Sequence, residues 1–379
     1  MSWMTAEEAL DLLGTKQQTL YANVSRGRIR AKADPTDTRR SLYLQDDVRR
    51  LATRQTGRRK SEAVAAETIR WGDPLLPSAV STVSDGCLFY RGVNAIGLAE
   101  HASLEAAAAI LWDTDGPLRP LPSPAGLGSD GSVQAALVAL ACRIAGDPPS
   151  LGRCLPNLQV EAHSVFATVA AAMAPGRADL PLHQRLAGGW HRPEAAPIIR
   201  RALVLFADHE LNASTFAARV TTSSGASLSA ATLSGLAALT GPLHGGAWRQ
   251  VDLLVDQAQT MGAREAVRLR LEKDRMLPAF GHRLYPDGDA RACALLAHFE
   301  IPPVFADLRA AAVALVGERA NADFALSALA AAYDLPRDAP MTIFALARTV
   351  GWLAHAMEQA VSGRLIRPRA RYIGPGLET

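Results

Sequence analysis

Long stretches of this chain repeat apolar residues at helical spacing, and segments rich in proline and glycine separate them. The spacing recurs at Leu104, Ala107, Ala108 and Leu111 and in the runs 133–145, 161–173 and 197–208. Pro and Gly interrupt helices, and they occur in the segments 116–128, 147–157 and 174–181. A hydrophobic content of 49% with only 6% aromatic residues fits helices rich in Ala and Leu. The sequence therefore predicts a mainly α-helical protein.

The length and charge of the chain indicate more than one folding unit. At 379 residues the chain exceeds what one compact core usually holds, so two or three units are expected. Residues 1–70 hold fourteen Lys or Arg against nine Asp or Glu, whereas the whole chain has a net charge of only +3. The basic excess is therefore N-terminal.

Three features predict a cytoplasmic protein that makes no membrane contact. No apolar run reaches the roughly 18 residues that a membrane span needs. The N-terminal residues MSWMTAEEAL have acids where a signal peptide would be basic and then apolar. The cysteines lie far apart with no CxxC pair, which favours reduced thiols, at Cys87, Cys142, Cys154 and Cys293.

Residues 1–55 form a pattern of their own. Thr5 can cap a first helix with one apolar face, and Gly14 ends it. Thr15 can cap a second helix, whose inward-facing residues are predicted to be Leu20, Tyr21 and Val24. Residues 28–43 then favour a small β-hairpin, and a third helix starts near Gln45.

This order resembles the winged helix-turn-helix domains of excisionase and MerR-type regulators. The resemblance implies that residues 1–55 bind DNA, with phosphates facing the basic side chains Arg26, Arg28, Arg30, Lys32, Arg39 and Arg40. A charged docking module is the alternative, because nothing in the segment specifies base contacts. Residues 56–70 are polar and basic and are expected to be a linker.

Two later segments give structural signals of their own. Residues 71–100 have short alternating apolar positions broken by Asp85 and Gly86, which predicts a hairpin. Small residues dominate between Gly225 and Ala237. They would let helices approach closely, either in a central bundle or at a subunit interface.

The segment from Met276 to Arg291, MLPAFGHRLYPDGDAR, combines the features of a packed loop. Its prolines and glycines exclude an uninterrupted helix, yet it is too apolar for a solvated loop. His282 stands between a glycine, which lets a ligand approach the backbone, and an arginine, which can bind an anion. We expect this loop to hold a ligand; a basic surface turn is the alternative.

Three further residues occur in unusual contexts: His209 in ADHELNAST, His244 in GPLHGG and Asp323 in NADF. A metal centre is not supported, because there is no HExxH and no Cys/His spacing, and the consecutive residues 208–210 cannot all reach one ion. A GxSxG elbow is also absent from the sequence. The remaining set of His, Asp and Arg suits proton abstraction beside a carbonyl, with arginines binding carboxylates. Asp323 could instead cap a helix, and Arg348, in an apolar helix, needs a buried anionic partner.

From about residue 71 to 379 the chain resembles the citrate synthase family. The motifs that carry this resemblance occur in the family's order: DGCLFYRG, ADHELNAST, GPLHGG, AFGHRLYPDGDAR, NADF, LARTVGWLAH and RPRARYIGP. The resemblance implies a two-domain helical fold, with a large domain of residues 71–247 and 336–379 and a small domain of residues 248–335 that closes on it. It also implies a homodimer, no tightly bound cofactor, and acetyl-CoA as co-substrate with oxaloacetate.

The resemblance also implies roles for individual residues. His244 would donate a hydrogen bond to the thioester carbonyl while Asp323 removes a methyl proton, and His282 would act on the oxaloacetate ketone. The oxaloacetate carboxylates and carbonyl would be held by His209, Arg291, Arg348 and, from the neighbouring subunit, Arg367. The adenine of CoA would lie against Leu277, Pro278, Ala279, Phe280 and Gly281. The other histidines are expected to be structural or on the surface: His101, His163, His183, His191, His298 and His355.

Three departures from the family pattern affect the expected substrate. HGGAWRQ replaces HGGAN, GDAR replaces DPR and NADF replaces NVDF, so Trp248 alters the pocket wall near the thioester. Synthesis of citrate is the activity that the resemblance implies. Synthesis of 2-methylcitrate from propionyl-CoA is one alternative. A metabolite-sensing, DNA-binding regulator with a citrate synthase-like body is the other.

Overall fold

The computed structural model describes residues 3–13, 17–25, 29–34, 41–48, 76–116, 118, 130–274, 276–370, 372 and 374–375. The chain divides into two compact units, Met1–Pro77 with Pro368–Thr379, and Ser78–Arg367. The linker predicted over residues 56–70 lies outside the described residues, as do Arg26, Arg28, Arg39 and Arg40.

The described part of the N-terminal unit contains two short helices, helical residues at 45–48, where a third helix was predicted, and a three-stranded antiparallel sheet. Strands β1 (Trp3–Met4) and β2 (Ala31–Ala33) both pair with β3 (Ser41–Leu44). Helices α1 (Ala6–Leu13) and α2 (Gln17–Ser25) lie between β1 and β2 in the chain. The predicted hairpin is therefore confirmed as β2 and β3, whereas DNA binding stays a prediction.

Local contacts explain why this unit forms. Thr5 caps α1 reciprocally with Glu8, since Thr5 N–H donates to Glu8 Oε2 at 2.8 Å and Glu8 N–H donates to Thr5 Oγ1 at 3.3 Å. Tyr21, which was predicted to point inward, is 51% exposed. Successive helical residues are about 100° apart, so the buried position of Leu20 turns Tyr21 toward solvent. The predicted cap Thr15 lies outside the described residues.

The second unit begins with a three-stranded meander. Strand β4 (Ser81–Ser84) pairs with β5 (Cys87–Tyr90), which pairs with β6 (Val93–Asn94). Asp85 and Gly86 connect the first two strands with φ values of 50° and 72°. Positive φ at both central residues is what a two-residue hairpin requires, and Asp-Gly tolerates it. The hairpin predicted in residues 71–100 is confirmed.

The rest of this unit is helical. Its helices are α3 (Ala95–Ala99), α4 (Leu104–Trp112), α5 (Val133–Ile144), α6 (Leu155–Met173), α7 (Leu182–Gly189), α8 (Ala196–Leu205), α9 (Ala213–Ser223), α10 (Leu228–Leu239), α11 (Trp248–Met261), α12 (Ala263–Asp274), α13 (Ala290–Leu296), α14 (Pro303–Val316), α15 (Ala322–Ala332) and α16 (Ala339–Ser362). Turns of 3₁₀ helix occur at Pro193–Ala195 and Gly245–Ala247. The sequence placed a break over 147–157, but α6 already begins at Leu155, because Pro156 lies in the first turn, where no backbone donor is needed.

Helix α16 lies at the centre of the second unit. It is buried along most of its length and packs against α4, α6, α9 and α10. Gly235 on α10 faces the Trp352 ring, and a Cβ at Gly235 would lie 2.8 Å from a ring carbon. The close helix approach predicted from the small residues is confirmed at this point.

The predicted division of the body into two domains stays a prediction. Residues Ser78–Arg367 form one compact unit. Within the described part of the chain, no helix has the length and apolar character needed to cross a bilayer.

Candidate active site

His209 lies between α8 and α9, on a turn that β4 and the residues beside it hold in place. The next residue, Glu210, has a left-handed backbone with φ 49°. Its Oε1 accepts a hydrogen bond from Val83 N–H at 2.6 Å, and its own N–H donates to Ser81 Oγ at 3.0 Å. Non-glycine residues in this region are strained, so such contacts are needed to maintain the turn. The hairpin therefore sets the position of His209.

Two histidines and a tyrosine meet at this turn. His209 Nε2 lies 2.9 Å from the Tyr285 hydroxyl, and the two rings stack with centroids 5.5 Å apart. The His282 ring lies edge-on to His209 at a centroid distance of 5.1 Å. Burial, and then the charges of Arg291 and Arg348, hold the pKa of His209 well below its ordinary value. His209 is therefore a neutral imidazole near pH 7.

The tautomer of His282 follows from one backbone contact. Leu284 N–H donates to His282 Nδ1 at 3.2 Å. A neutral imidazole that accepts at Nδ1 carries its proton on Nε2. Burial, and then Arg291, lowers the pKa of His282, which favours this neutral form. His282 therefore presents an Nε2–H donor.

The loop Leu277–Gly281 is joined to the segment that precedes α15. Gly281 N–H donates to Arg319 O at 2.8 Å, and Asn321 N–H donates to Ala279 O at 3.0 Å. An isolated β-bridge lies between these hydrogen bonds. Ala279 has a left-handed backbone with φ 70°. The AFGH and NADF motifs are therefore parts of one structural element.

Asp323 lies in the first turn of α15 but does not cap that helix. Asn321 is the cap, and its Oδ1 accepts from Asp323 N–H at 3.0 Å. The Asp323 carboxylate has no hydrogen-bond donor among the described residues, and its side chain is partly exposed. Burial raises the pKa of Asp323 to about 7, although Arg291 and Arg348 act in the opposite direction. This carboxyl group is therefore a stronger base than an ordinary aspartate.

His244 precedes a turn that only glycine can form. A Cβ on Gly245 would lie 2.6 Å from Leu239 Cγ, and a Cβ on Gly246 would lie 2.8 Å from a backbone oxygen. Burial, and then Arg348, lowers the pKa of His244 to about 4. The GPLHGG motif therefore holds a neutral histidine against closely packed backbone.

Ser214 connects His244 to the central helix. Trp352 Nε1–H donates to Ser214 Oγ at 3.0 Å. The same Oγ lies 2.8 Å from both Asn212 Oδ1 and His244 Nε2. The single hydroxyl proton serves one of these acceptors at a time. When it is donated to His244, the neutral imidazole carries its own proton on Nδ1.

Arg291 is buried against aromatic rings and is already paired. Its guanidinium donates to Asp289 through Nε at 2.9 Å and Nη2 at 2.8 Å, and it lies 5.2 Å from the Tyr285 ring centroid. Burial alone would lower the pKa of Arg291, but Asp289 raises it above its ordinary value. Arg291 was predicted from the sequence to bind substrate, but its ion pair with Asp289 was not predicted.

Arg348 is the buried arginine whose charge has no direct partner. It is 1% exposed, its Nε donates to Phe206 O at 3.2 Å, and its guanidinium lies 4.7 Å from the Phe344 ring centroid. Burial lowers the pKa of Arg348 to about 10, and the charge of Asp208 opposes this shift. No ion pair joins Arg348 to any carboxylate that the structure describes. The buried anion expected from the sequence is therefore not a contacting side chain here, which leaves the guanidinium available to a ligand.

The last predicted residue lies apart from this group. Arg367 is exposed, and no hydrogen bond or ion pair links it to other residues in the described ranges. Across those ranges, no group of three or more His, Cys, Asp or Glu is placed to hold a metal.

Sequence reasoning missed three residues of this site. Tyr285 and Ser214 lie inside motifs that were singled out, so proximity in sequence was an available signal. Trp352 lies 138 residues from its partner Ser214, and no local pattern indicates that contact.

The fold and the motifs together define an α-helical enzyme-like protein, and comparison with known proteins gives its family. The family model described as "Citrate synthase, C-terminal domain" matches residues 155–369. The chain belongs to the citrate synthase family.

Individual relatives agree with this assignment. Citrate synthase 2 of Bacillus subtilis is 36% identical over 197 residues, which is 48% of this chain and 53% of the relative. The 2-methylcitrate synthase of Shewanella oneidensis is 35% identical over 184 residues, or 46% of this chain and 49% of the relative. The chain thus spans about half the length of the curated relatives it matches.

Solved structures confirm the mainly helical fold. The citrate synthase of Thermotoga maritima superposes with a TM-score of 0.67 at 25% identity, covering 81% of this chain and 96% of that chain. The citrate synthase of Thermoplasma acidophilum, solved with carboxymethyl coenzyme A and oxaloacetate, superposes with a TM-score of 0.67 at 21% identity, covering 83% and 97%.

Proposed function

We propose that the chain condenses acetyl-CoA with oxaloacetate and hydrolyses the resulting citryl-CoA to citrate and CoA. The observation that carries this proposal is the contact of His209 with His282, whose ring centroids lie 5.1 Å apart, near the buried Arg291 and Arg348. Asp323, whose pKa burial raises, interacts with the same arginines. The condensation needs a base, hydrogen-bond donors to two carbonyl groups, and cations that bind a dianion. Membership of the citrate synthase family supports the same reaction. No tightly bound cofactor is part of it.

In this proposal Asp323 and His244 together convert the thioester into its enolate, which is the nucleophile. A thioester α-proton is too weakly acidic for an unaided carboxylate, so charge on the carbonyl oxygen must be stabilised as the proton leaves. Asp323, with a pKa near 7, removes the methyl proton. His244 donates a hydrogen bond from Nδ1–H to the thioester oxygen. This tautomer requires that His244 Nε2 accepts the hydrogen bond from the Ser214 hydroxyl group. A neutral histidine can donate in this way without ionising.

His282 acts on the second substrate. Its Nε2–H donates a hydrogen bond to the oxaloacetate ketone and stabilises the negative charge that develops on this oxygen as the C–C bond forms. The hydrogen bond from Leu284 to Nδ1 supports this role, because it keeps the donor proton on Nε2. Condensation then joins the enolate carbon to a ketone whose developing charge is neutralised.

The substrate carboxylates and carbonyl are held by His209, Arg291, Arg348 and Arg367. Arg348 supports this assignment, because its buried charge lacks a contacting carboxylate. Arg367 is exposed, and we propose that it reaches the active site of a neighbouring subunit. The adenine of CoA lies against Leu277–Gly281, and a small domain of residues 248–335 closes over both substrates. Closure would exclude water from the dianion.

A homodimer is part of this proposal, and an exposed apolar surface supports it. Helix α10 packs against α5, α6 and α9, and α5 packs against α6. Large hydrophobic side chains are exposed on three of these helices and on the loop before α6: Val138 at 55%, Leu151 at 66%, Val160 at 74% and Val220 at 38%. Scattered single residues of this kind need no explanation, but a group on adjoining elements suits an interface.

Sedimentation velocity tests the dimer. Val160→Asp places a charge on the proposed interface and should give monomers. Val313→Asp, at a 50% exposed position on the separate helix α14, should leave the dimer intact. A wild-type monomer with full activity would refute the dimer and the role of Arg367.

The choice of thioester is tested by turnover. Acetyl-CoA and propionyl-CoA differ by one methylene, which an apolar pocket distinguishes by only ~1–3 kcal/mol. We place acetyl-CoA first and propionyl-CoA, giving 2-methylcitrate, second. Release of free CoA from each thioester should depend on oxaloacetate, and the ratio of kcat/KM values gives the preference. If neither thioester is consumed, the proposed function is wrong.

A second function rests on the N-terminal unit. Two helices followed by an antiparallel hairpin support a winged helix-turn-helix module, and the basic excess of residues 1–70 suits phosphates. Two of the basic side chains predicted to face phosphates have other contacts: Arg30 pairs with Asp47 at 2.8 Å, and Lys32 lies 4.5 Å over the Trp3 ring. We propose a cytoplasmic protein in which this unit binds DNA or docks a partner.

Gel shifts at low salt test DNA binding by the full-length chain. Arg26→Ala combined with Arg28→Ala should weaken binding to all duplexes equally, because phosphate contacts carry no sequence information. Arg177→Ala is the matched control, since it removes an exposed arginine from the other unit. No shift at micromolar protein leaves only a docking role for residues 1–55.

A further inference from the structure

One face of α16 is fastened to the segment that leads into His209. Arg348, Gly351 and His355 are three and four residues apart, so they share this face. Their contacts follow in order along the segment: Arg348 Nε to Phe206 O at 3.2 Å, Gly351 N to Ala207 O at 3.1 Å, and His355 Nε2 to Asp208 Oδ2 at 3.1 Å. Helix α16, which carries Arg348, thus fixes the position of the backbone that leads into His209.

The two segments touch without space for a side chain between them. A Cβ on Gly351 would lie 2.6 Å from Ala207 O and still closer to Asp208 Oδ1. Asp208 and His355 are both 0% exposed. A buried carboxylate at such a contact is costly unless hydrogen bonds compensate it.

The proton positions in this pair are fixed by a neighbouring arginine. Arg219 Nη1 lies 3.2 Å from His355 Nδ1. A guanidinium only donates, so Nδ1 accepts and the imidazole proton lies on Nε2, from which it is donated to Asp208. Ser81 Oγ donates to the same carboxylate oxygen. His355 therefore accepts a hydrogen bond from Arg219 and donates one to Asp208.

The charge of Asp208 also acts on Arg348. Glu358 neutralises Arg219 at 2.7 Å. After burial, Asp208 is the largest influence on the pKa of Arg348, and it raises that pKa. Neither Asp208 nor His355 belongs to the group that touches substrate in the proposed mechanism.

We propose that Asp208 and His355 are positioning residues that orient His209 and Arg348 toward the carboxylate and carbonyl groups of the four-carbon substrate. This inference rests on the proposed function, because it takes that substrate to be oxaloacetate. Removing the His355 imidazole leaves Asp208 short of a donor and frees the segment 206–209. Binding of the dianion then weakens. Acyl-CoA binding does not, because backbone contacts elsewhere hold Leu277–Gly281.

Steady-state kinetics on the full-length protein test this inference. His355→Ala should raise the KM for oxaloacetate about tenfold, which corresponds to about 1.4 kcal/mol, and should change the KM for acetyl-CoA by less than about twofold. His355→Gln can place an amide donor near Asp208 and should restore much of the loss. Leu353→Ala is the matched control, because it removes a fully buried side chain from the same helix without touching the network.

The outcomes separate this inference from the proposed function. A KM for oxaloacetate that is unchanged in folded His355→Ala, or raised equally by Leu353→Ala, overturns the positioning role while the proposed function stands. A rise in both KM values together also overturns it. Wild-type protein that neither turns over nor binds oxaloacetate by calorimetry overturns the proposed function, and the inference with it.

Discussion

At the scale of single residues, Asp323 combines a functional advantage with a cost to stability. Its carboxylate receives no hydrogen bond from the described residues, because Asn321 performs the capping role. Burial therefore outweighs the lowering effect of the Arg291 and Arg348 charges and raises the pKa to about 7. A carboxyl group with this pKa is well matched to proton abstraction near neutral pH. The same burial makes its ionised form costly in the folded state.

The raised pKa predicts the pH dependence of the reaction. The proposed base Asp323 can act only when it is ionised, so kcat/KM for acetyl-CoA should fall as the pH is lowered through about 7. The measurement is the initial rate of CoA release between pH 5.5 and pH 8.5, in which roughly three pH units span the titration. A rate that stays level down to pH 5.5 would assign the base to another group.

Stability should change with pH in the opposite direction. The pKa of Asp323 is higher in the folded chain than its ordinary value of 3.8, so the folded state binds more protons and loses stability as pH rises from about 4 to 7. Asp323→Asn lacks this loss. In urea unfolding, the free energy of unfolding of the variant should therefore increase relative to that of the wild type between pH 5 and pH 8. A constant difference in unfolding free energy would show that the pKa is not raised.

The tautomer of His282 gives a second prediction at this scale. A glutamine amide can occupy the place of Nε2, whereas an asparagine amide reaches only the place of Nδ1. His282→Gln should thus retain more activity than His282→Asn, by about tenfold, since one hydrogen bond to developing charge contributes about 1.5–3 kcal/mol. The readout is kcat at saturating substrate. Equal activities of the two variants would mean that Nε2 is not the donor.

At the scale of helices, the site depends on how closely α10 and α16 approach. Gly235 leaves space for Trp352, and the indole N–H then reaches Ser214 at 3.0 Å. Ser214 in turn contacts His244. The glycine at position 235 on α10 therefore affects the hydrogen bonding of His244, which lies outside that helix.

Gly235→Ala should test this packing. A Cβ 2.8 Å from the ring forces Trp352 to move, with a loss of about 1–3 kcal/mol in the free energy of unfolding. Gly188→Ala, on α7, is the control: a Cβ there meets nothing within 4 Å, so stability should be unchanged or slightly higher. Guanidinium unfolding followed by tryptophan fluorescence measures both. If the two variants unfold alike, the close approach is unimportant.

The sequence predicted this level of structure unevenly. Helical periodicity, the Asp85–Gly86 turn and the glycine-bounded histidines are local signals, and the structure confirms the helices and the turn. His355 and Asp208 are 147 residues apart, so no local pattern in the sequence indicates their hydrogen bond. His355 was therefore expected to be structural or on the surface. The Asp289–Arg291 pair is local but was missed, because the sequence was interpreted only as a replacement of DPR by GDAR.

At the scale of the whole molecule, the chain combines a citrate synthase-family body with a small N-terminal unit. The body brings together residues 209, 244, 282, 291 and 348 from separate elements, together with the loop that carries Asp323. None of these residues lies in the N-terminal unit. The proposed catalytic chemistry therefore resides in Ser78–Arg367, apart from any contribution of a second subunit.

The central claim is that Asp323 initiates an oxaloacetate-dependent condensation of a thioester. The most direct measurement is the rate of free CoA formation from acetyl-CoA, with and without oxaloacetate, in the wild type and in Asp323→Asn side by side. We predict that the wild type releases CoA only when oxaloacetate is present and that Asp323→Asn is slower by about 10²–10⁴-fold, the usual contribution of a positioned base. Wild-type release that ignores oxaloacetate, or near-normal turnover by folded Asp323→Asn, would contradict the claim.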